Sequence, residues 1–427
     1  MGESILIQRT PTASKLCIAR DQTGIKDTDN NCPDTEFHFL LNCLKVFLNS
    51  SLHPLISAKQ LDAITWTRLE SLVYAHRLLP VIHQVLHKTD LIQTLPDQAA
   101  KTLVAEQQQM TQRNLTLSAI AAKLLKALQK HNIRALPLKG SLLGLQIYNN
   151  LTLRTPGDID LLIEASQLDR TLNILEPLGF RWLQAEGWTP TQKRLFIAQQ
   201  GEISCISKDQ SVRVDLHIRW SGTAQLFTLP FEQAWKSAIP LPLSSAYSPL
   251  TLCLEHQMLY LCIHGAKHTW ERLSWLLDIG MLIQQPINWE TVNAEAKRLD
   301  IQRPVKQALH LAQDLLDAEI PNTFTENDHT SISWLTKVVK TKIKDNQSKS
   351  LPHHFRTLPT KPLEMLHRIR YQMKLKSSIR YKFAYFQRLF ISSTDWQVIN
   401  LPEPLWFLHV PLRPVLYIWR LIYYLNK

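Results

Sequence analysis

Glycine is scarce in this chain, with only 11 glycines among 427 residues, against 23 prolines. Glycine supplies the left-handed backbone conformations that many tight turns need, so its scarcity argues against a fold built on Gly-rich turns. Proline interrupts helices and ends them. We therefore expect a helix-dominated protein, punctuated by prolines, that carries a small sheet.

Cysteine is also sparse, and its spacing matches no known framework. The chain has six cysteines, with no Cys-x-x-Cys pair and no grouping of the kind that binds zinc. Cys253 and Cys262 lie in an apolar stretch with helical character, where buried free thiols are common. We interpret all six as reduced and structural: Cys17, Cys32, Cys43, Cys205, Cys253 and Cys262.

Long apolar runs are missing as well. No uncharged apolar run reaches the length that crosses a membrane, and the first residues lack the apolar core of a signal peptide. Leu6 stands where N-myristoylation requires Ser or Thr. We therefore expect a cytoplasmic protein.

Positive charge is in excess, with 48 Lys and Arg against 36 Asp and Glu, a formal net charge of +12. Much of the excess lies between Lys337 and Arg388. Such a balance suits nucleic acid, nucleotides, acidic lipids or simple solubility, and it does not choose among them.

Residues 134–164 contain the most informative pattern in the chain. An apolar run at 135–138 stops at Lys139-Gly140-Ser141, a helical segment follows at 142–148, and a second apolar run occupies 161–163. This order predicts a strand, a turn, a short helix and a second strand.

Three carboxylates are predicted to lie on the polar faces of strands. Side chains alternate across a strand, so Asp158 and Asp160 are predicted to share one face at the start of the second strand. Residues 211–220 alternate clearly and place Asp215 on a polar face. His217 on that face is either a support for the metal ligands or a partner of Asp215. Three convergent carboxylates predict a site for Mg²⁺ or Mn²⁺.

The turn supplies groups suited to an anion. Ser141 is predicted to cap the helix that begins at residue 142, Gly140 to permit close backbone approach, and Lys139 to add a point charge for phosphate. A surface lysine and an ordinary helix cap are the alternatives. Arg154 either pairs with a carboxylate or reaches a phosphate.

Taken together, these motifs resemble a known enzyme group. The order Lys-Gly-Ser, Asp-x-Asp and a later strand Asp resembles the core of the DNA polymerase β-like nucleotidyltransferase superfamily. More narrowly, one bacterial family of largely uncharacterised nucleotidyltransferases is similar in four segments: LPLKGSLL, RTPGDIDLLI, VRVDLHIRW and HGAKHTWERLSWLLDI.

The resemblance implies a reaction and a division of roles. It implies metal-dependent transfer of a nucleoside monophosphate from an NTP such as ATP to a hydroxyl of a small molecule or protein. Asp158 and Asp160 would hold two Mg²⁺ or Mn²⁺ ions. Asp215 would hold the catalytic ion and help to deprotonate the acceptor. The NTP would meet Lys139, Gly140, Ser141, Arg154 and Lys267.

A later segment carries a polar stripe. His264, Lys267, His268 and Glu271 have helical i, i+3, i+4, i+7 spacing. We reject a zinc site, because the adjacent Glu of a metalloprotease helix is missing. The resemblance implies that this helix packs beside the catalytic sheet, so that Lys267 reaches the triphosphate. A plain polar helix face is the alternative.

The fold class that we predict is α+β and predominantly helical, with a small mixed sheet between N- and C-terminal helical regions. The length favours more than one domain. The predicted parts are a disordered tail at 1–35, a helical region at 36–132, the nucleotidyltransferase core at 133–248, a helical domain packed on it at 249–330, and a basic, aromatic-rich region at 331–427. Within the core we expect a helix at 165–178 and an irregular stretch at 180–207 with strand-like pieces near 180–183 and 202–206.

Two other functions remain open at this stage. One is a protein-modifying nucleotidyltransferase of toxin–antitoxin type, and the other is a non-catalytic nucleotide-binding protein. We expect an NTP and an acceptor as partners and no specific nucleic acid. For the C-terminal region we prefer an aromatic packing edge with Lys and Arg pointing outward over peripheral contact with an anionic membrane.

Overall fold

The computed structural model describes residues 34–183, 188–324, 329–345 and 362–389, and a few positions beyond 389. Most of the predicted tail at 1–35 and much of the predicted C-terminal region lie outside the described residues. The described residues from Thr35 onward belong to one compact unit. The division of the chain into five parts stays a prediction.

Helices form the N-terminal part, as the apolar spacing predicts. Helix α1 buries Phe37, Leu40 and Leu44 on one face, which is the spacing of an amphipathic helix. The longest helix, α5, leads the chain to the first strand. The helices are α1 Thr35–Leu48, α2 Ala58–Asp62, α3 Trp66–Ala75, α4 Leu79–Lys88 and α5 Asp97–Lys130.

A five-stranded mixed sheet follows, in the order β1-β2-β5-β4-β3. Strands β2 and β5 are parallel and the other neighbours are antiparallel. The elements are β1 Ala135–Pro137, α6 Gly140–Tyr148, β2 Ile159–Ile163, α7 Leu168–Leu175, β3 Phe180–Trp182, α8 Pro190–Gln200, β4 Glu202–Ser207 and β5 Arg213–His217.

Helix α8 corrects one prediction, because Pro190–Gln200 lies in the part of the stretch 180–207 that was predicted to be irregular. Only Gln192 and Phe196 of this helix are buried, so its sequence lacks an apolar stripe. The helix start is instead fixed by a capping box between Thr189 and Gln192, with Pro190 at the first position. The absence of an apolar face explains why periodicity did not reveal the helix.

The described C-terminal part is mainly helical. Its elements are α9 Phe231–Lys236, β6 Ile239–Pro240, β7 Leu250–Thr251, α10 Leu254–Lys267, α11 Leu273–Ile283, α12 Trp289–Arg298, α13 Gln302–Leu316, α14 His329–Asp345, α15 Pro362–Leu375 and α16 Ile379–Leu389. None of the helices in the described residues combines the length and the apolar character needed to cross a membrane.

The predicted polar stripe on α10 is wrong at its last member. The helix ends at Lys267, and Glu271 lies in the loop that follows. Thr269 and Trp270 adopt positive φ angles, which turn the chain back on itself. The Trp270 ring then packs on Gly265, where an added Cβ would lie 2.4 Å from it. Glycine at 265 is what allows this turn.

Two apolar clusters hold the sheet between them. One cluster joins α5 and α7 to one face of the sheet through residues such as Leu124, Leu161 and Val214. The larger cluster joins α1, α4, α10, α11 and α13. The protein is therefore α+β and predominantly helical, with a small mixed sheet, as predicted.

Replacing Lys376 tests how the C-terminal helices are held. Its side chain is 4% exposed, and its ammonium donates to the carbonyls of Gln225 and Leu299 at 2.8 Å each. Lys376→Met removes the donor from both carbonyls and leaves the carbonyl of the buried Leu299 without it, so we expect a loss of about 2–4 kcal/mol in the free energy of unfolding.

Urea denaturation measures this loss, with Lys236→Met as the matched control. Lys236 is exposed and makes only a surface ion pair with Glu232, so its replacement should leave the unfolding midpoint unchanged. Equal midpoints for the wild-type protein and Lys376→Met would contradict the prediction.

Candidate active site

Three acidic side chains meet at one edge of the sheet. The parallel pairing of β2 with β5 sets Asp160 directly beside Asp215, and Asp158 immediately precedes β2. One carboxylate oxygen from each of the three lies within 4.8 Å of the other two. The strand alternation predicts this convergence. The role of the three acids as metal ligands stays a prediction.

Asp160 is the buried member of the cluster and is held by Lys139 and His217. Lys139 Nζ lies 2.9 Å from Asp160 Oδ1, and His217 Nε2 donates to the same oxygen at 2.9 Å. Burial alone would raise the pKa of Asp160, but the Lys139 charge and the His217 hydrogen bond lower it. The prediction that His217 pairs with Asp215, one of two alternatives, is therefore wrong, and its partner is Asp160.

Asp215 is in a different electrostatic state. Burial and the neighbouring charge of Asp158 raise its pKa to about 6, against the opposing charge of Arg213. Its Oδ1 is buried and accepts no hydrogen bond from any residue that the structure describes. Arg213 donates to Asp158, and its Nε lies 3.5 Å from Asp215 Oδ1. A buried carboxylate oxygen without a donor is suited to a cation.

The Lys139-Gly140-Ser141 turn differs in detail from its prediction. Helix α6 begins at Gly140, its N-cap is Lys139, and no side chain caps it. The predicted cap by Ser141 is wrong, because the buried Ser141 hydroxyl donates to the carbonyl of Asn114 on α5 at 3.4 Å. Gly140 has φ +76°, a conformation that favours glycine.

Arg154 pairs with a carboxylate, which was one of its two predicted roles. Its guanidinium donates to both oxygens of Asp278 on α11, at 3.0 and 2.9 Å, and to the carbonyl of Gly140 at 2.7 Å. Tyr148 donates to Asp278 at 2.9 Å. Arg154 therefore ties the turn to α11, and direct contact between Arg154 and a phosphate stays a prediction.

A cavity of about 770 Å³ opens over the acids, within the size range of ligand sites. The acid cluster, Lys139, Gly140 and Arg154 line it, and so does Lys267 from the end of α10. Burial lowers the pKa of Lys267, while the charge of Glu202 across the cavity raises it. The Ser141 side chain is turned toward α5.

Several cavity residues were not predicted. Arg77 sits in the α3–α4 turn, donates to the carbonyl of Thr155 and lines the cavity, yet no local pattern marks it. Glu202 opens β4 beside His217. Of these three residues, only Asp278 could have been noticed in the sequence, because it is an acid inside the apolar helix segment LSWLLDIGMLI. A buried acid of this kind needs a cationic partner.

Within the residues that the structure describes, His264 and His268 are not joined by a third potential metal ligand. The rings of His264 and His268 are tilted to each other with their centroids 4.9 Å apart, and both lie against Trp275. Burial lowers the pKa of both well below the usual value, so both rings are neutral at pH 7. Within the described residues, the three acids form the one group of three or more potential ligands.

Replacing Asp278 tests the link between α11 and the turn. Asp278 is 1% exposed, so Asp278→Ala leaves the buried Arg154 without its counter-ion, and we expect a loss of about 3–5 kcal/mol in the free energy of unfolding. Tyr148→Phe removes a single hydrogen bond to the same acid and should cost about 1 kcal/mol. Equal unfolding midpoints in urea for the two variants would contradict this ranking.

Comparison with known proteins places the chain in a family. The model of a family described as "Uncharacterised nucleotidyltransferase" matches residues 62–317. No curated protein matches the chain. The matched residues exceed half of the chain and include every candidate site residue. The chain therefore belongs to this family of uncharacterised nucleotidyltransferases.

Proposed function

We propose that this nucleotidyltransferase is metal-dependent and transfers a nucleoside monophosphate from an NTP to a hydroxyl of a small molecule or protein. The observation that carries the proposal is the group of three carboxylates, whose oxygens lie within 4.8 Å of one another beside a turn suited to phosphate. Membership of the family supports the general reaction.

The donor set fits Mg²⁺ or Mn²⁺. Both are hard cations that prefer carboxylate oxygens and complete their coordination with water and substrate phosphates. Asp158, Asp160 and Asp215 offer such oxygens, and Asp215 Oδ1 lacks a hydrogen-bond donor among the described residues. These three residues would hold the divalent cations, which would supply positive charge to stabilise the negative charge that develops during the transfer.

The chemical step exchanges one bond to phosphorus for another. The acceptor oxygen forms a bond to the α-phosphorus, the bond from that phosphorus to the bridging oxygen breaks, and pyrophosphate leaves with the electron pair. Asp215 takes the proton of the acceptor hydroxyl as the general base.

Residues of the turn and of α10 bind the NTP. Lys139 stays charged because the carboxylates of Asp160 and Asp158 outweigh the effect of burial on its pKa. Gly140 and Ser141 offer backbone N–H groups at the start of α6, where phosphate is favoured. Arg154 positions this turn through the carbonyl of Gly140, and Lys267 lines the same cavity from the end of α10.

Asp215→Asn tests the reaction. An NTP panel with Mg²⁺ or Mn²⁺ and a host extract of metabolites and proteins is scored for pyrophosphate release. Because the amide cannot take the proton, we expect turnover to fall by about 10²–10⁴-fold. Mass spectrometry of the extract then shows whether the nucleotide is added to a small molecule or to a protein.

The control for this test is Asp169→Asn, which makes the same change of charge at an exposed position on α7. It should release pyrophosphate at the wild-type rate. Unchanged circular dichroism of Asp215→Asn verifies that the fold is kept. Equal release by the wild-type protein and Asp215→Asn would remove Asp215 from the mechanism.

Thermal unfolding tests the cation directly. A cation that binds only the folded protein stabilises it by about 2.7 kcal/mol at a hundredfold excess over its Kd. We expect Mn²⁺ to raise the Tm of the wild-type protein and of Asp169→Asn, and EDTA to reverse the rise. Asp158→Asn removes one ligand from a partly exposed position and should show a much smaller rise. An equal rise in Asp158→Asn would contradict the ligand assignment.

A further inference from the structure

Two positively charged side chains neutralise the acid cluster, and they are held in different ways. Lys139 lies on the turn at 17% side-chain exposure and contacts the buried Asp160. Arg213 is 44% exposed and contacts the two outer acids, Asp158 and Asp215. The cluster therefore has one enclosed cation and one exposed cation.

Arg213 spans the space between the two outer acids. It opens β5, its guanidinium donates to Asp158 Oδ2, and its Nε lies 3.5 Å from Asp215 Oδ1. These oxygens belong to the acids that would hold a divalent cation. A guanidinium and a divalent cation compete for the same carboxylates, because their positive charges repel each other.

We infer that Arg213 is an internal counter-ion, which holds Asp158 and Asp215 together in the cation-free protein and leaves them when a divalent cation binds. The inference rests on the proposed metal-dependent function. Arg213 competes with the cation, so its presence weakens cation binding.

Its greater exposure makes Arg213, and not Lys139, the group that leaves. An exposed Arg–carboxylate contact contributes little net stability, and its long side chain gains rotamer freedom on release. Arg213 lines the cavity together with Arg77, so a guanidinium that leaves the acids is still anchored at the cavity. A nucleotide phosphate is the group there with complementary charge.

The test is a Mn²⁺ titration of the full chain without NTP, followed by electron paramagnetic resonance of free Mn²⁺. We expect Arg213→Gln to bind Mn²⁺ about fivefold more tightly than the wild-type protein, the change that corresponds to loss of an exposed ion pair. In EDTA the same variant should have a lower Tm, because Asp158 and Asp215 then repel each other without a counter-ion.

Arg170→Gln is the matched control. Arg170 is exposed on α7 and contacts Gln167 and the carbonyl of His131, so its replacement makes the same change of net charge away from the acids. It should bind Mn²⁺ with the wild-type Kd. Arg213→Lys keeps the charge but cannot span two carboxylates, and its Kd should lie between those of the wild-type protein and Arg213→Gln.

The possible results separate the two proposals. Unchanged or weaker Mn²⁺ binding by Arg213→Gln, beside clear binding by the wild-type protein, would overturn the counter-ion role and leave the proposed function standing. If Arg213→Gln does not fold, Arg213→Lys takes its place in the test. A Kd for Mn²⁺ equal to that of the wild-type protein would then overturn the counter-ion role. No Mn²⁺ binding by any of the proteins would overturn both proposals.

Discussion

The candidate site depends on one structural constraint, the parallel pairing of β2 with β5. This register sets Asp160 beside Asp215, and the chain just before β2 adds Asp158. A shift by one residue would turn Asp215 to the opposite face of the sheet and exchange it for an apolar side chain. The register is fixed because Leu161, Val214 and Leu216 are buried in the cluster beneath the sheet.

Like charges brought together in this way need positive groups around them. Lys139 from the turn and Arg213 from β5 supply positive charge, and His217 from β5 makes a hydrogen bond with Asp160. Arg154 fixes the Lys139-Gly140-Ser141 turn, because its guanidinium contacts both the Gly140 carbonyl and Asp278 on α11. The helical part of the protein thus determines where the Lys139-Gly140-Ser141 turn stands relative to the acids.

Particular elements show how far local pattern reaches. Helices α1, α4 and α13 bury one apolar face each, so their periodicity predicted them. Helix α8 has no such face and is fixed by its capping box, so it was missed. The end of α10 was also missed, because the packing of Trp270 on Gly265, five positions away, turns the chain there.

The sequence by itself determined the fold class, the order of the strands along the chain and the convergence of Asp158, Asp160 and Asp215. Strand alternation and apolar spacing are local properties, and they specify which face a side chain occupies. Only the tertiary structure decided that His217 pairs with Asp160, that Arg154 meets Asp278, and that Arg77 reaches the cavity. These contacts join residues more than 50 positions apart in the sequence. Local pattern does not reveal them, because buried charges and hydrogen-bonding groups pair with the partners that the folded chain brings near.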